Sequence, residues 1–337
     1  MKHMGKTSRF LGGVLLLVLV SFTFSTCGGI GSSDLAGGGT GGTGISTGSV
    51  TGFGSVVVNG VHFLTDNDVA SGFVTKKMFN GMDNSSRMDR DLLRVGMVVI
   101  VHHGPNDNNA QEIEYRDNLQ GPVAAKIAGV DNTVTILGHT VVVDNAALFG
   151  SLNPNDVLEV SGFVDSSGRI RAAYADMVPC SGMMMCPVTE FEVKGYVSAL
   201  SPSDFRLGPL PGGTGTAVTV SYATAVDIGL YNGMYVQVVT TDTKPVSGVI
   251  TATRIEQLSP RTIFPEKAMA DLEGLVTAAP SGSWPALSFA VEGKRVQTDG
   301  STQLAGGTAS GIGPDVKLLV QGTENGGVLT AGKIIFR

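Results

Sequence analysis

Apolar and polar residues alternate along most of the chain after residue 48, and glycine turns interrupt the alternation. VVVNGVHFLTD surrounds Gly60, and VTILGHTVVVD and FAVEGKRVQTD surround Gly138 and Gly293 in the same way. Period-two alternation places successive side chains on opposite faces of a strand, and a glycine between two such runs is typical of a hairpin turn. The pattern predicts β-hairpins at these places.

The hairpins belong to a unit that occurs four times. Each unit opens with Gly-x-Val, at intervals of 73, 74 and 79 residues, and the opening glycines are Gly48, Gly121, Gly195 and Gly274. In the third unit, the hairpin stretch FRLGPLPGGTGTAVTVSY has a longer loop. A repeat of this length indicates that one supersecondary unit has been duplicated.

Two further strands complete each unit. A β-branched run introduced by Gly or Asp follows the hairpin, at 96–101, 156–160, 233–238 and 315–320. The last strand has Ala three places before an apolar residue, at Ala110, Ala172, Ala252 and Ala331. We define unit one as 48–120, unit two as 121–178, unit three as 195–260 and unit four as 274–337. Residues 179–194 and 261–273 are predicted linkers.

The fold class predicted from this repeat is all-β, with four tandem small OB-like five-stranded barrels. An alternative is a continuous sandwich in which the units share sheets. A short helix is predicted at 144–152 in unit two. In unit one, the insertion from Lys76 to Asp91 would place Met78 and Met82 on one helical face.

The N-terminus has the pattern of an export signal at 1–26. Lys2, Lys6 and Arg9 precede an apolar run of 11 residues, Phe10 to Val20. A run of that length is too short to span a bilayer as a helix and is typical of a cleaved leader.

FSTCGG around Cys27 resembles the lipobox of bacterial lipoproteins, which implies a lipid on Cys27. Phe24 and Thr26 depart from the usual lipobox residues, so ordinary cleavage nearby stays open. Gly28 after the cysteine, by the same resemblance, favours the outer membrane. The expected location is therefore the bacterial cell envelope, as an outer-membrane lipoprotein or otherwise as a periplasmic or secreted protein.

The segment from 27 to 47 is rich in glycine, with GGIGSSDLAGGGTGGTGISTG at 28–48. Such a composition predicts a flexible tether between leader and body. GGTGGTGISTGSVTGFGSVVVNG, 38–60, resembles an uncharacterised family of exported bacterial proteins with a Gly-rich tether and repeated small β-barrels. The resemblance implies an envelope location and an OB-like repeat, and it brings no activity, cofactor or catalytic residue.

Composition narrows the function classes. Lys and Arg number 23 against 29 Asp and Glu, a net charge of −6. Removal of 1–26 leaves 20 basic against 29 acidic residues, which is −9. Such a chain has no basic surplus for a phosphate backbone, so nucleic acid is not an expected partner.

The sequence has no nucleophile and base at a recognisable spacing. We therefore expect that the protein is not an enzyme and has no cofactor and no catalytic residue.

Cys180 and Cys186 flank three methionines in CSGMMMC. In an oxidising compartment, a disulfide between the two cysteines is the preferred interpretation. The alternative is a Cu(I) site that uses Met183, Met184 and Met185, because thioethers and thiolates favour soft metals.

Other candidate groups have ordinary explanations. Acidic and amide residues in unit one could supply oxygen ligands for Ca²⁺: Asp83, Asn84, Asp89 and Asp91. Because Arg87 and Arg90 lie among them, a solvated loop is the preferred interpretation.

Four histidines are predicted at the surface or at barrel ends: His62, His102, His103 and His139. Trp284 is the only tryptophan. Among the aromatic residues, only four tyrosines are candidates for stacking platforms, and packing in the core or at a barrel rim explains them as well: Tyr174, Tyr196, Tyr231 and Tyr235.

The function hypothesis is a non-enzymatic envelope lipoprotein that presents its units as a scaffold or interaction surface. Its expected partners are a membrane, through the lipid, and an unknown envelope protein or polysaccharide. The alternatives are a binding module for an envelope polymer such as polysaccharide, and copper handling through CSGMMMC.

Overall fold

β-strands dominate the part of the chain that the structure describes. The structure is a computed structural model, and it describes residues 44–68, 73–104, 107–178, 189–213, 215–222 and 228–337. Helix makes up only 6%. The all-β prediction is confirmed.

The strands and helices of the first two units follow the predicted order. Unit one contains β1 (Gly44–Gly52), β2 (Val56–Val58), β3 (Val61–Phe63), β4 (Lys76–Phe79), β5 (Met82–Asp83), α1 (Asp89–Leu92), β6 (Val98–His103) and β7 (Ala110–Tyr115). Unit two contains β8 (Leu119–Ile127), β9 (Thr133–Ile136), β10 (His139–Val142), α2 (Ala146–Ser151), β11 (Val157–Val164) and β12 (Ile170–Met177).

The last two units lack an α-helix in their described residues and have short 3-10 turns instead. Unit three contains β13 (Phe191–Ser198), β14 (Asp204–Gly208), a 3-10 turn (Pro211–Gly213), β15 (Val218–Ser221), β16 (Tyr235–Thr240) and β17 (Val249–Gln257). Unit four contains β18 (Met269–Ser283), β19 (Ala286–Val291), β20 (Lys294–Gln297), β21 (Gln303–Ala305), a 3-10 turn (Ala309–Gly311), β22 (Lys317–Asn325) and β23 (Val328–Phe336).

One pairing pattern recurs in all four units. The first strand pairs antiparallel with the second and also with the strand that opens the closing hairpin: β6, β11, β16 or β22. In units two to four the third strand runs parallel to the last, and in unit one β4 takes that place beside β7. Each closing hairpin also has one register shift at a corresponding place. The fourfold repeat is therefore present in the backbone.

The helix predicted at 144–152 is confirmed as α2. The Asn145 side chain accepts hydrogen bonds from the backbone N–H groups of Ala147 and Leu148, at 3.1 and 3.0 Å. These bonds satisfy donors that the first turn of a helix leaves free. Phe149 is buried and attaches α2 to the core of unit two.

The helical face predicted for Met78 and Met82 is wrong. Met78 lies in β4 and Met82 in β5, and the two strands form a hairpin through Asn80 and Gly81. Asn80 and Gly81 both have positive φ, as a tight hairpin turn requires. Because the turn residues interrupt the run, the four-residue spacing reflects a hairpin and not a helix.

The prediction of four separate OB-like barrels is also wrong, because strands of different units pair with each other in common sheets. The structure is a β-solenoid of about seven turns, whose strands form a 13-stranded and a 10-stranded sheet. β1 pairs in parallel with β18, which joins units one and four, and β8 pairs with β13, which joins units two and three. Sharing of sheets between units was the alternative left open by the sequence.

The first strands make these cross-unit pairs with the residues that precede the repeat. They begin two to five residues before the opening glycines, at Gly44, Leu119, Phe191 and Met269. Gly44–Thr47 pairs with Met269–Leu272, and Leu119 and Gln120 pair with Val193 and Glu192. The structure thus places the end of the predicted tether and the ends of both predicted linkers in first strands. We assign these residues to the unit whose first strand they open.

The hydrophobic core crosses unit boundaries as well. One cluster of buried side chains runs from Leu119 to Ile255 and includes residues of both unit two and unit three. A second cluster joins Ile45 and Ile100 of unit one to the core of unit four. The described residues from Gly44 to Arg337 accordingly belong to one compact unit.

In three units, a turn residue of the same unit packs directly against the opening glycine. These turn residues are Asn59, Leu137 and Glu292; each has positive φ and precedes the turn glycine between the second and third strands of its unit. A Cβ on Gly48 would lie 2.1 Å from Asn59 Oδ1, and a Cβ on Gly274 would lie 2.3 Å from Glu292 Cγ. Gly121 is tight against Leu137, at 3.0 Å. The Gly-x-Val repeat therefore reflects a steric requirement.

We predict that Gly274→Ala lowers the free energy of unfolding by about 1–3 kcal/mol, because the new methyl group displaces Glu292. Urea denaturation measures the change. Gly150→Ala is the matched control: Gly150 lies in α2 with open space around it, so alanine there should stabilise by up to about 1 kcal/mol. If Gly274→Ala does not lower the free energy of unfolding, the Glu292 side chain moves aside without cost and the prediction is wrong.

Candidate functional site

All four units meet at a small central cavity of about 40 Å³. Its lining includes Thr47 of unit one, Phe163 of unit two, Tyr196 of unit three and Glu273 of unit four. Arg261, from the predicted linker before unit four, also lines it. Charged groups are thus held at the place where the units join.

Glu273 joins unit four to unit one. Its Oε2 accepts hydrogen bonds from the backbone N–H and the hydroxyl of Ser49, at 2.7 and 2.8 Å. Its Oε1 lies 2.9 Å from the Lys317 ammonium group. The carboxylate is almost completely buried, so each of these partners compensates for the lost hydration.

Glu292 joins unit four to unit two. It lies in the turn between β19 and β20, and both its oxygens are 3.1 Å from the backbone nitrogen of Val164. Oε1 also accepts a hydrogen bond from the Leu275 N–H, at 3.1 Å. Burial raises the pKa of Glu292 to about 7, although the two backbone bonds and Arg261 oppose the shift. Glu292 therefore titrates near neutral pH in the folded protein.

Arg261 connects the linker to units one and two. Its Nη2 donates to the Gly162 carbonyl at 3.0 Å, and its own carbonyl accepts from the Thr47 hydroxyl at 3.2 Å. Its Nη1 is buried and lacks a hydrogen-bond partner within the described residues. The Nη1 atom of Arg261 could therefore donate a hydrogen bond to a further polar group.

A second buried cluster lies where units one, two and three meet. The Lys194 ammonium group is fully buried and pairs with Asp117 and, at 2.8 Å, with Glu192. Asn80 of unit one donates to Asp117 at 3.1 Å, and Gln237 donates to Glu192 at 2.8 Å. Burial, with the charge of Asp117, raises the pKa of Glu192. The cluster is fully occupied by internal partners.

The polar residues at these junctions were not predicted from the sequence, although the sequence contains a pattern that indicates them. A polar residue stands directly before the opening glycine of every unit: Thr47, Gln120, Lys194 and Glu273. Three of the four are buried, with exposed fractions of 3, 4 and 6% for Thr47, Lys194 and Glu273. The recurrence of a polar residue directly before each opening glycine was therefore the sequence signal for the junction between units.

A larger groove of about 430 Å³ adjoins the central cavity between units three and four. The two spaces share Tyr196, Tyr235, Pro260 and Thr262 as lining residues. Tyr231, Lys294 and Arg295 also line the groove. The groove is therefore much larger than the central cavity that it adjoins.

The predicted aromatic candidates separate into two groups. Tyr196 and Tyr235 are opposite each other in β13 and β16, with ring centroids 4.9 Å apart, and with Tyr231 they line the groove. Tyr174 packs beside the core of unit one, and Trp284 is exposed at the β18–β19 turn. Only the first group forms a common surface.

The acidic group of unit one is not arranged around a cation site. Asp83 accepts hydrogen bonds from Ser85 in its own turn, which lower its pKa. Asp89 is buried and pairs with the Lys77 ammonium group at 2.9 Å, and Asp66 pairs with the same group at 2.9 Å. The solvated loop predicted here is therefore wrong for Asp89, whose counterion is a lysine.

The predicted surface position is wrong for His139. His62 is exposed and His102 and His103 are half-buried at the end of β6, but His139 is 1% exposed. Neither of its ring nitrogens has a hydrogen-bond partner within the described residues. Burial lowers its pKa to about 4, so the ring is neutral at pH 7.

Several predicted sites lie outside the described residues. These are the leader, Cys27, most of the tether, Cys180, Cys186 and Met183–Met185. Among the residues that are described, His, Cys, Asp and Glu side chains form no group of three or more that could hold a metal. No helix in that part of the chain has the length and apolar character needed to cross a membrane.

The fold and the contacts between its units define the class of the protein: it is an all-β repeat protein whose units share sheets and are joined by buried polar contacts. The chain belongs to the family described as Domain of unknown function (DUF5666), whose model matches residues 120–174, 194–256 and 273–335. These matches fall on units two, three and four and cover more than half of the chain. No curated protein matches it.

We predict that His139→Leu raises the free energy of unfolding by about 1 kcal/mol at neutral pH, because it removes a buried polar ring without partners. In the wild type, the unfolded state binds a proton below pH 6.5 and the folded state only near pH 4. Stability is therefore lost as the pH falls across this window. Thermal unfolding across the window should show a smaller loss in the variant.

His62→Leu is the control for this prediction. The His62 ring is exposed and lies 2.9 Å from the Ser55 hydroxyl, so its loss should leave the acid dependence unchanged. The same acid dependence in wild type and His139→Leu would contradict a buried neutral ring.

Proposed function

We propose that the protein is a non-enzymatic, lipid-anchored scaffold of the bacterial cell envelope, which presents its four units as one rigid body. The observation that supports this most is the set of buried polar contacts between units. Glu273 with Ser49, Glu292 with Val164, and Lys194 with Asp117 each join different parts of the chain. A body joined in this way holds its surfaces at fixed spacings.

The same contacts support a role without catalysis. Both oxygens of Glu273 and both of Glu292 are occupied by hydrogen bonds or an ion pair within the protein. A catalytic carboxylate needs an oxygen that is free to reach a substrate. These carboxylates serve to join the units.

The N-terminal sequence supports the envelope location. The basic and apolar segments of 1–26 have the pattern of an export leader. Cys27 in FSTCGG is the proposed attachment point of the lipid, and the glycines that follow would separate the body from the membrane. The proposed partners are another envelope protein or a polysaccharide. Copper handling depends on Met183–Met185, and no described contact favours it.

We predict that Cys27→Ala moves the full-length protein from the membrane fraction to the soluble fraction of the cells that express it. Intact mass should show a lipid on the wild-type chain, which begins at Cys27, and none on the variant. In the scaffold role, chemical crosslinking of intact cells should trap wild-type protein in discrete higher-mass complexes.

Cys180→Ala serves as the matched control and should stay in the membrane fraction. Membrane association of Cys27→Ala, or an unlipidated wild-type mass, would exclude the anchor. Recovery of the anchored wild-type protein only as an uncrosslinked monomer would argue against a scaffold.

A further inference from the structure

We propose that the groove between units three and four is a binding site for an uncharged oligosaccharide. This inference specifies a site for the polysaccharide partner named in the proposed function, and it depends on neither the lipid anchor nor the scaffold role. The volume of about 430 Å³ lies within the usual range for ligand sites. A short segment of a sugar polymer fits such a space.

The shape of the groove is fixed by the fold. Gly293 of unit four approaches Pro211 of unit three so closely that a Cβ on Gly293 would lie 2.5 Å from Pro211 Cδ. On the floor, Tyr196 is 9% exposed and is held against the Tyr235 ring. A site that is formed before binding loses little conformational entropy when the ligand enters.

Aromatic faces provide the apolar contact that a sugar ring needs. Tyr231 is 54% exposed and lines the groove together with the half-buried Tyr235. Tyrosine combines a flat apolar ring with a hydroxyl that hydrogen-bonds. The two faces of a pyranose ring are apolar C–H surfaces with hydroxyl groups at the rim, which matches this combination.

The groove presents little free charge. Its charged lining residues are Lys294 and Arg295. Lys294 is paired with Glu324 at 2.7 Å, so its charge is balanced within the protein. Arg295 is exposed to solvent, where water and salt screen its charge. An anionic ligand therefore gains little electrostatic advantage over a neutral one.

The groove contains hydrogen-bond donors and acceptors for sugar hydroxyl groups, which themselves donate and accept. The exposed side chains of Gln257 and Arg295 line it. The Gln257 amide both donates and accepts, and the Arg295 guanidinium donates. A polyhydroxylated ligand can use both groups, whereas the methyl side chains of an alanine peptide cannot.

The test is calorimetric titration of the purified full-length protein with cellohexaose, maltohexaose and chitohexaose. An oligogalacturonate hexamer, a six-residue thymidine oligonucleotide and a hexaalanine peptide are titrated in parallel. We expect saturable binding of at least one neutral hexasaccharide. Affinity should be about tenfold lower in Tyr231→Ala, because a tenfold loss is about 1.4 kcal/mol, which is within the range for one aromatic contact. Tyr231→Phe should keep most of the affinity.

Trp284→Ala is the matched control, because Trp284 is comparably exposed, at 42%, and lies outside the groove lining. It should bind as the wild type does. The proposal is overturned if none of the three neutral sugars binds, if an anionic or peptide probe binds more tightly, or if Trp284→Ala weakens binding as much as Tyr231→Ala. Thermal unfolding of each variant separates loss of the site from loss of the fold.

Discussion

The structure depends on the first strand of each unit, which pairs both within its own unit and with the first strand of another unit. One edge of this strand pairs with the closing hairpin of its own unit. On the other edge, residues just before the opening glycine pair with the first strand of another unit. Backbone donors and acceptors at a sheet edge need partners. Here another copy of the same strand supplies them, so the body forms through cross-unit pairing.

Polar side chains at these strands make the pairing specific. Lys194 and Glu273 stand directly before the opening glycines and are buried with their partners. A buried charge that loses its partner is strongly destabilising, so separation of units one and four would leave Glu273 without Ser49. Tyr196 lines both the central cavity at this junction and the groove, and thus the packing that joins the units also shapes the candidate site.

Local patterns predicted local structure well. The hairpins around Gly60, Gly138 and Gly293, the helix α2 and the fourfold repeat were all visible as alternation, turn residues and spacing. The arrangement of the units was not, because β1 pairs with β18 across more than 200 residues and no local pattern encodes such a partner. For the same reason His139 and Glu292 could not be recognised as buried, since burial at a junction depends on the neighbouring units.

Native-state hydrogen exchange, resolved to single amides, tests the cross-unit pairing most directly. The account predicts that backbone amides of Gly44–Thr47 and Met269–Leu272 exchange only when units one and four open together, with the same free energy as the cores of both units. If these amides exchange freely while the two cores stay protected, or if each core opens with its own free energy, the units are independent and the account is wrong.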